Sequence, residues 1–229
     1  MISVVLPTHD EIGLGLLPDV LAPLTGHADV ELIAVDNASR DGTADLLRNA
    51  GARVIDLPGS NRAQRLNAGF AACSGEVVLL HHPRSVLAPD ALDALRHLPA
   101  DTVWGGFTHA FDDRHPLLAW TSWYSNRMRL DRGGIAYLDH CIFLRRDHVP
   151  DAPVPELDIF EDTALSRRLR PLGWPRRLPR VATTSAIRYR RNGVWRQATM
   201  NQVLKLGYAA RVPPRLMNRI YERGLSLNG

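Results

Sequence analysis

Sulfur is scarce in this 229-residue chain, which has two cysteines, Cys73 and Cys141. Neither sits in a Cys-x-x-Cys or Cys/His spacing, so the sequence offers no zinc cluster and no disulfide framework. A chain without a disulfide framework suits a reducing compartment, and a cytoplasmic location is expected. Long hydrophobic runs are missing too; none approaches the ~20 apolar residues of a membrane-spanning helix. The opening "MISVVLPTHDE" has no basic leader segment and meets Pro7 early. It therefore reads as a first strand and not as a signal peptide. Repeats, low-complexity tracts and linkers are absent, which predicts one domain over residues 1–229. Lysine is nearly absent, so arginine supplies nearly all of the positive charge. Net charge is +4 and the isoelectric point about 9.5, a balance that favours anionic ligands. The arginines are dispersed and no nucleic-acid-binding module is recognisable, so nucleic acid is not an expected partner.

What remains is an ordinary globular composition, 45% hydrophobic and 23% charged, with ample length for a core. Short apolar runs at 2–7, 30–39, 52–58 and 75–82 read as buried strands. Between them, leucines at 14, 17, 21 and 24 and the segments 41–51, 60–73 and 88–98 read as helices, with Thr43 near one start and Gly51 past its end. This alternation predicts an α/β fold with a mainly parallel sheet and helices on both faces. Further on, strands are predicted at 101–111, 141–147 and 180–190, and helices at 115–130 and 160–173. A basic helical tail follows over 194–223, broken at Pro213 and Pro214. Ligands of such sheets bind beyond the carboxyl ends of the strands. That places Thr8 to Glu11, Asp36 to Ser39 and His81 to Ser85 around one crevice.

Three stretches carry candidate chemistry. Asp36 ends the second strand, where a carboxylate either accepts hydrogen bonds from a nucleoside or shapes the turn "DNASRDG". Arg62 and Arg65 sit at the start of a helix, an unfavourable place for a cation unless an anion binds there; the alternative is two solvated side chains. Glu161 and Asp162 open the helix "FEDTALSRRLR", either as caps or with one of them as a general base.

Taken in order, "VVLPTHDE", "AVDNASRDGTADLL", "NRAQRLNAGFAACSGEVVLL" and "FEDTALSRRLR" resemble the family 2 glycosyltransferases of GT-A fold. The stretches "YLDHCIFLRRD" and "TSAIRYRRNGVWRQATMNQVLKLGYAARVPPRLMNRIY" are similar to the short enzymes described as arsenosugar-biosynthesis or selenodomain-associated glycosyltransferases. The resemblance runs from Ile2 to about Tyr221. It implies a nucleotide-binding half (1–98), an acceptor half (99–190) and a helical tail (191–229). It also implies inverting transfer from a nucleoside diphosphate sugar, a UDP- or GDP-sugar, to a small acceptor. By the same resemblance, Pro7, Thr8 and Glu11 would line the base and ribose pocket, Asp36 would contact the base, and Arg62 would lie near ribose or diphosphate. Asp162 matches the general base, and Glu161 would help position the acceptor.

The fourth strand departs from the family. There the family carries a D-x-D-like element, approximately His-Ala-Asp-Thr in this subgroup, whose aspartate holds a divalent ion on the diphosphate. Here the residues are His82, Pro83, Arg84 and Ser85, and an arginine neither ligates a metal nor loses its proton. Leu138 and His140 also stand where the subgroup often has Gly and Gln around Asp139. Three outcomes follow. In the first, Arg84 replaces the cation on the diphosphate. In the second, Mg²⁺ or Mn²⁺ is held by other groups such as His82, Asp139 or Glu161. In the third, the chain is a catalytically silent nucleotide-binding protein. A nucleotidyltransferase is the other enzyme class considered, but the acidic "PTHDEIGLG" lacks its basic glycine-rich loop. The cluster Trp120–Trp123–Tyr124 and the arginine-rich tail suit an acceptor-site wall or, alternatively, peripheral contact with an anionic bilayer.

Overall fold

The computed structural model describes residues 1–226; the end of the predicted tail, 227–229, lies outside the described residues. Eight strands form one mixed sheet in the order β3-β2-β1-β4-β7-β6-β8-β5. They are β1 (Ile2–Thr8), β2 (Val30–Asp36), β3 (Arg53–Asp56), β4 (Val77–Leu80), β5 (Ser85–Leu87), β6 (Trp104–Phe111), β7 (Ile142–Arg145) and β8 (Arg176–Thr184). β1 to β4 are mutually parallel where they pair, whereas β7 runs antiparallel to both β4 and β6. Helices α1 (Leu17–Leu21), α2 (Thr43–Asn49), α3 (Arg62–Ala72), α4 (Ala91–Arg96), α5 (Pro116–Tyr124) and α6 (Glu161–Leu169) cover the sheet. A short helix α7 (Ile187–Asn192) leads into α8 (Val194–Ala209) and α9 (Pro214–Ser226).

The sheet has a core on each face because consecutive strand residues point opposite ways. Val4 and Leu6 belong to one core and Val5 to the other; Leu79 and Leu80 are divided in the same way. This explains the unbroken apolar runs of β1 and β4, since neither face meets water. α3 lies close on β1 at Gly69, where any Cβ would collide with Val5 and Val35. That close approach fixes the depth at which the N-terminus of α3 meets the strand ends.

Three expectations needed correction. The helix around Leu14–Leu24 is instead a 3-10 turn, Ile12–Leu14, followed by α1, because Gly15 takes a left-handed φ of 65° between them. The strand expected at 180–190 begins earlier and stops at Thr184; Ser185 and Ala186 then donate backbone N–H groups to Arg84 O (2.9 Å) and Asp112 Oδ1 (2.6 Å), and the chain turns into α7. Residues 85–87, where no element was expected between 75–82 and 88–98, form β5, paired along three residues of β8. Such a strand is too short for any periodicity to reveal it.

Candidate active site

A cavity of about 600 Å³ opens beyond the carboxyl ends of β1, β2 and β4, within the size range of small-molecule sites. Its walls include Pro7, Glu11, Arg62, His82, Arg84, Asp139 and Asp162. Thr8, Asp36 and Glu161 are buried behind the walls.

One side of the cavity is built by the ends of β1 and β2. Asp36 accepts hydrogen bonds from Thr8 Oγ1 (2.8 Å), Ser39 N (2.7 Å) and Ser39 Oγ (2.7 Å). Its carboxylate thus knots the 36–39 turn to β1, and Asn37 from that turn, not Asp36, faces the cavity. Glu11 is held by a bond from its backbone N–H to Thr43 Oγ1 (2.9 Å). Its side chain pairs with Arg84, which donates from Nε to Oε2 (3.0 Å) and from Nη2 to Oε1 (3.5 Å). Arg84 therefore carries its own counter-ion, a pairing no local sequence signal suggests across 73 positions. Its Nη1 makes no hydrogen bond among the described residues.

The helices α3 and α6 point their N-termini at each other. Asn61 caps α3 in a capping box with Gln64 (2.9 and 3.1 Å), which sets Arg62 in the first turn. Arg62 Nε donates to Glu161 Oε1, and Arg65 Nη1 to Thr8 O (3.2 Å). Glu161 is 1% exposed, and its other oxygen has no partner. The structure thus makes Glu161 the counter-ion of Arg62 rather than part of the cavity wall. Phe160 adopts a left-handed φ of 62° just before α6. This sharp entry sends Glu161 inward and leaves Asp162 on the cavity.

Asp162 accepts hydrogen bonds from Leu138 N (3.1 Å) and Thr163 N (2.6 Å). Burial, then the neighbouring Glu161 charge, raise its pKa to about 7, although Arg62 acts the other way. The sign of the stability effect follows. The folded state holds a proton on Asp162 that the unfolded chain releases above the ordinary value of 3.8. This contribution is full below that value, declines as pH rises, and is gone above about 7. Melting curves from pH 4 to pH 8 should therefore show the parent losing stability relative to Asp162→Asn. Parallel curves would remove Asp162 as the titrating group.

His82 Nε2 lies 3.7 Å from Asp139 Oδ1. Burial lowers the His82 pKa to about 3, so the ring is neutral. Its Nδ1 accepts the backbone N–H of Arg84 (3.2 Å), which leaves the proton on Nε2, facing Asp139. That nitrogen offers no lone pair to a metal. Burial alone would raise the Asp139 pKa, but the His82 N–H that faces it and the fixed charge of Arg62 keep it below the usual carboxylate range. Among the described residues no group of three His, Cys, Asp or Glu side chains converges on one point. The residues present offer a divalent cation no all-protein cage.

Sequence reasoning missed the far wall. Arg129 sits on a π-helical turn, Ser125–Asp131, that continues α5. Gln197, Asn201 and Lys205 reach the cavity from α8. A polar 197-201-205 spacing on a helix with exposed tryptophan and leucine elsewhere was the available signal. Trp120 and Trp123 are about half exposed and stand outside the cavity walls. No helix among the described residues is long and apolar enough to cross a membrane.

The fold is shared with solved glycosyltransferase structures at low identity. S. aureus TarS 1-349, in complex with UDP-GlcNAc, superposes with a TM-score of 0.59 at 18% identity, over 80% of this chain and 58% of that one. The mannosyltransferase PcManGT from Pyrobaculum calidifontis, in complex with GDP-Man and Mn²⁺, gives 0.54 at 17% identity, over 80% and 56%. Glucosyl-3-phosphoglycerate synthase from Mycobacterium tuberculosis, with Mn²⁺, UDP and glucosyl-3-phosphoglycerate, gives 0.52 at 19% identity, over 81% and 70%. The chain thus spans little more than half the length of the first two. These likenesses establish a GT-A fold. No curated protein matches the sequence significantly. The sequence pattern described as glycosyl transferase family 2 matches residues 3–150. The match is to the family at large and does not single out the arsenosugar-biosynthesis subgroup. Covering well over half of the chain and carrying β1 to β4 with the cavity they frame, it establishes that the chain belongs to glycosyl transferase family 2.

Proposed function

We propose that the chain transfers a sugar, with inversion, from a UDP- or GDP-sugar to a small acceptor, and that Arg84 takes the place of the metal ion on the diphosphate. The observation that carries this reading is Asp162, a carboxylate on the cavity wall aimed by the N–H groups of Leu138 and Thr163, with its proton affinity raised by burial and by Glu161. A base in that range can accept the proton of an acceptor hydroxyl as its oxygen attacks the anomeric carbon. The bond between that carbon and the diphosphate oxygen then breaks. The nucleoside diphosphate leaves with the bonding pair, and Arg84 and Arg65 stand on the same cavity to meet its charge. The nucleotide sugars bound by TarS and PcManGT support a donor of this class.

The second reading, a silent nucleotide-binding protein, draws on the Glu11–Arg84 pair. One set of measurements separates the two. Nucleoside diphosphate binding should survive EDTA. Arg84→Gln combined with Glu11→Gln, which avoids a stranded Glu11, should bind the diphosphate roughly tenfold or more weakly than Glu11→Gln alone while the two bind the free nucleoside alike, as expected for charge-assisted bonds of Arg84. Arg84→Asp should lose metal-free binding and recover part of it with Mn²⁺. Binding that vanishes in EDTA, with the double variant unaffected, would end the cation-replacement reading. Nucleotide binding without turnover of any UDP- or GDP-sugar would favour the silent protein.

A further inference from the structure

On the donor side of the cavity two of the three arginines have carboxylate partners. Arg62 is paired with Glu161, Arg84 with Glu11, and Arg65 donates to Thr8 O. The far wall is different. Lys205 is the only lysine of the chain, and it reaches the cavity from α8 together with Gln197, Asn201 and Leu204. These four occupy one stripe of the helix. α8 is turned inside out relative to an ordinary surface helix: the stripe on the cavity is mostly polar, while Trp195 and Leu206, each 70% exposed, face solvent.

Arg129 approaches from the π-helical turn. Its guanidinium lies 5.2 Å from the ring centre of Tyr124 and 4.8 Å from that of Tyr137, stacked rather than salt-bridged. The nearest carboxylate on its own turn, Asp131, is taken by Arg127 and Arg177. Among the described residues neither Arg129 nor Lys205 has a carboxylate partner. Burial, and then the charge of Arg129, lower the Lys205 pKa to about 8. Two neighbouring cations held partly out of water without a counter-ion are an unfavourable arrangement that a bound anion relieves.

The pair also stands in a useful place. Tyr137 packs on Arg129, and the next residue, Leu138, donates its N–H to Asp162. An anion held by Arg129 and Lys205 would bring the rest of its molecule alongside the base. We propose that Arg129 and Lys205 form the anion-binding part of the acceptor site, so that the acceptor is a small hydroxyl compound carrying a phosphate or carboxylate group. This deepens the function proposed above and rests on it.

The test titrates the full chain, saturated with UDP or GDP so that the diphosphate side is filled, with glycerol 3-phosphate, glycerate and glycerol by calorimetry. At least one of the two anions should bind, and glycerol should not; which anion binds more tightly assigns the phosphate or the carboxylate. Lys205→Met and Arg129→Met should each weaken that anion roughly tenfold or more, as for a lost charge-assisted bond. Lys205→Arg should restore most of the loss. The nucleoside diphosphate Kd of both methionine variants should stay close to the parent value, which also reports that they fold. Anions that bind no better than glycerol, or equally in the methionine variants, would overturn the proposal. An equal loss of nucleoside diphosphate in those variants would overturn it too, by assigning the pair to the donor. If the parent binds no nucleoside diphosphate, the donor reading fails separately, and a Lys205-dependent anion titration without nucleotide still decides the subsite.

Discussion

Asp162→Asn should lower sugar transfer by roughly 10²–10⁴-fold, the usual cost of losing a general base, while leaving nucleoside diphosphate affinity nearly unchanged. The amide cannot take up the proton of an attacking hydroxyl, yet it matches the carboxylate in shape and can still accept from Leu138 N or Thr163 N, the two bonds that aim residue 162. The pH profile of the parent supplies a second sign. Because burial and Glu161 place the Asp162 pKa at about 7, kcat/KM should rise with pH up to that value and then level off. A parent whose rate is flat from pH 5 to pH 8, or an asparagine variant that turns over at the parent rate, would take the proton-accepting role away from Asp162.

Arg62→Ala should cost about 3–5 kcal/mol of stability, the range for stranding one member of a buried ion pair, less whatever cavity water returns to the half-buried Arg62 side. The reason is the partner. Glu161 is 1% exposed and has one oxygen already without a hydrogen bond, so removal of the guanidinium leaves a buried carboxylate with nothing to meet it. For a chain of this size the loss corresponds to a fall in Tm on the order of 10 °C. Adding Glu161→Gln to Arg62→Ala should recover most of it, since the charge itself is the source of the cost. Thermal denaturation of the parent, the two single variants and the double variant closes the cycle. Additive effects would mean that Arg62 and Glu161 act independently, against the contact that joins α3 to α6.

How far the sequence could be read differs between the strands and the site. β1, β2 and β4 were legible because both of their faces are buried, which leaves continuous apolar runs. β5 was not, since three residues cannot display a period. Strand and helix ends pointed to Glu11, Arg62, His82, Arg84 and Asp162, and the resemblance to Asp139; these side chains line one cavity. Their partners were hidden because pairing is set by the fold and not by spacing along the chain. Arg84 meets Glu11 and Arg62 meets Glu161 from 73 and 99 positions away. Asp36 shows the opposite case: the turn-forming role that its local sequence offered is the one its hydrogen bonds describe. Arg129 escaped notice because a lone cation in a helical segment carries no local mark of what it faces, and the 197-201-205 spacing marks a shared polar face without saying what Lys205 meets.

The order of strands in the sheet has a consequence for how the chain is made. β1 to β4 can pair with one another as soon as they are synthesised, in the sequence that the chain delivers them. β5 cannot. It ends at Leu87, and its only neighbour, β8, begins at Arg176, so at ~5–20 residues per second the ribosome needs several seconds or more to supply the roughly 90 residues between them. The turn that carries His82 and Arg84 is anchored from the same late arrivals, through the Ser185 N–H on Arg84 O and the bond between the Ser85 and Thr184 hydroxyls. A nascent chain can therefore build the β1–β4 scaffold well before the 82–85 turn is anchored, and the unpaired β5 and the open edge of β4 are what a chaperone would meet in the interval.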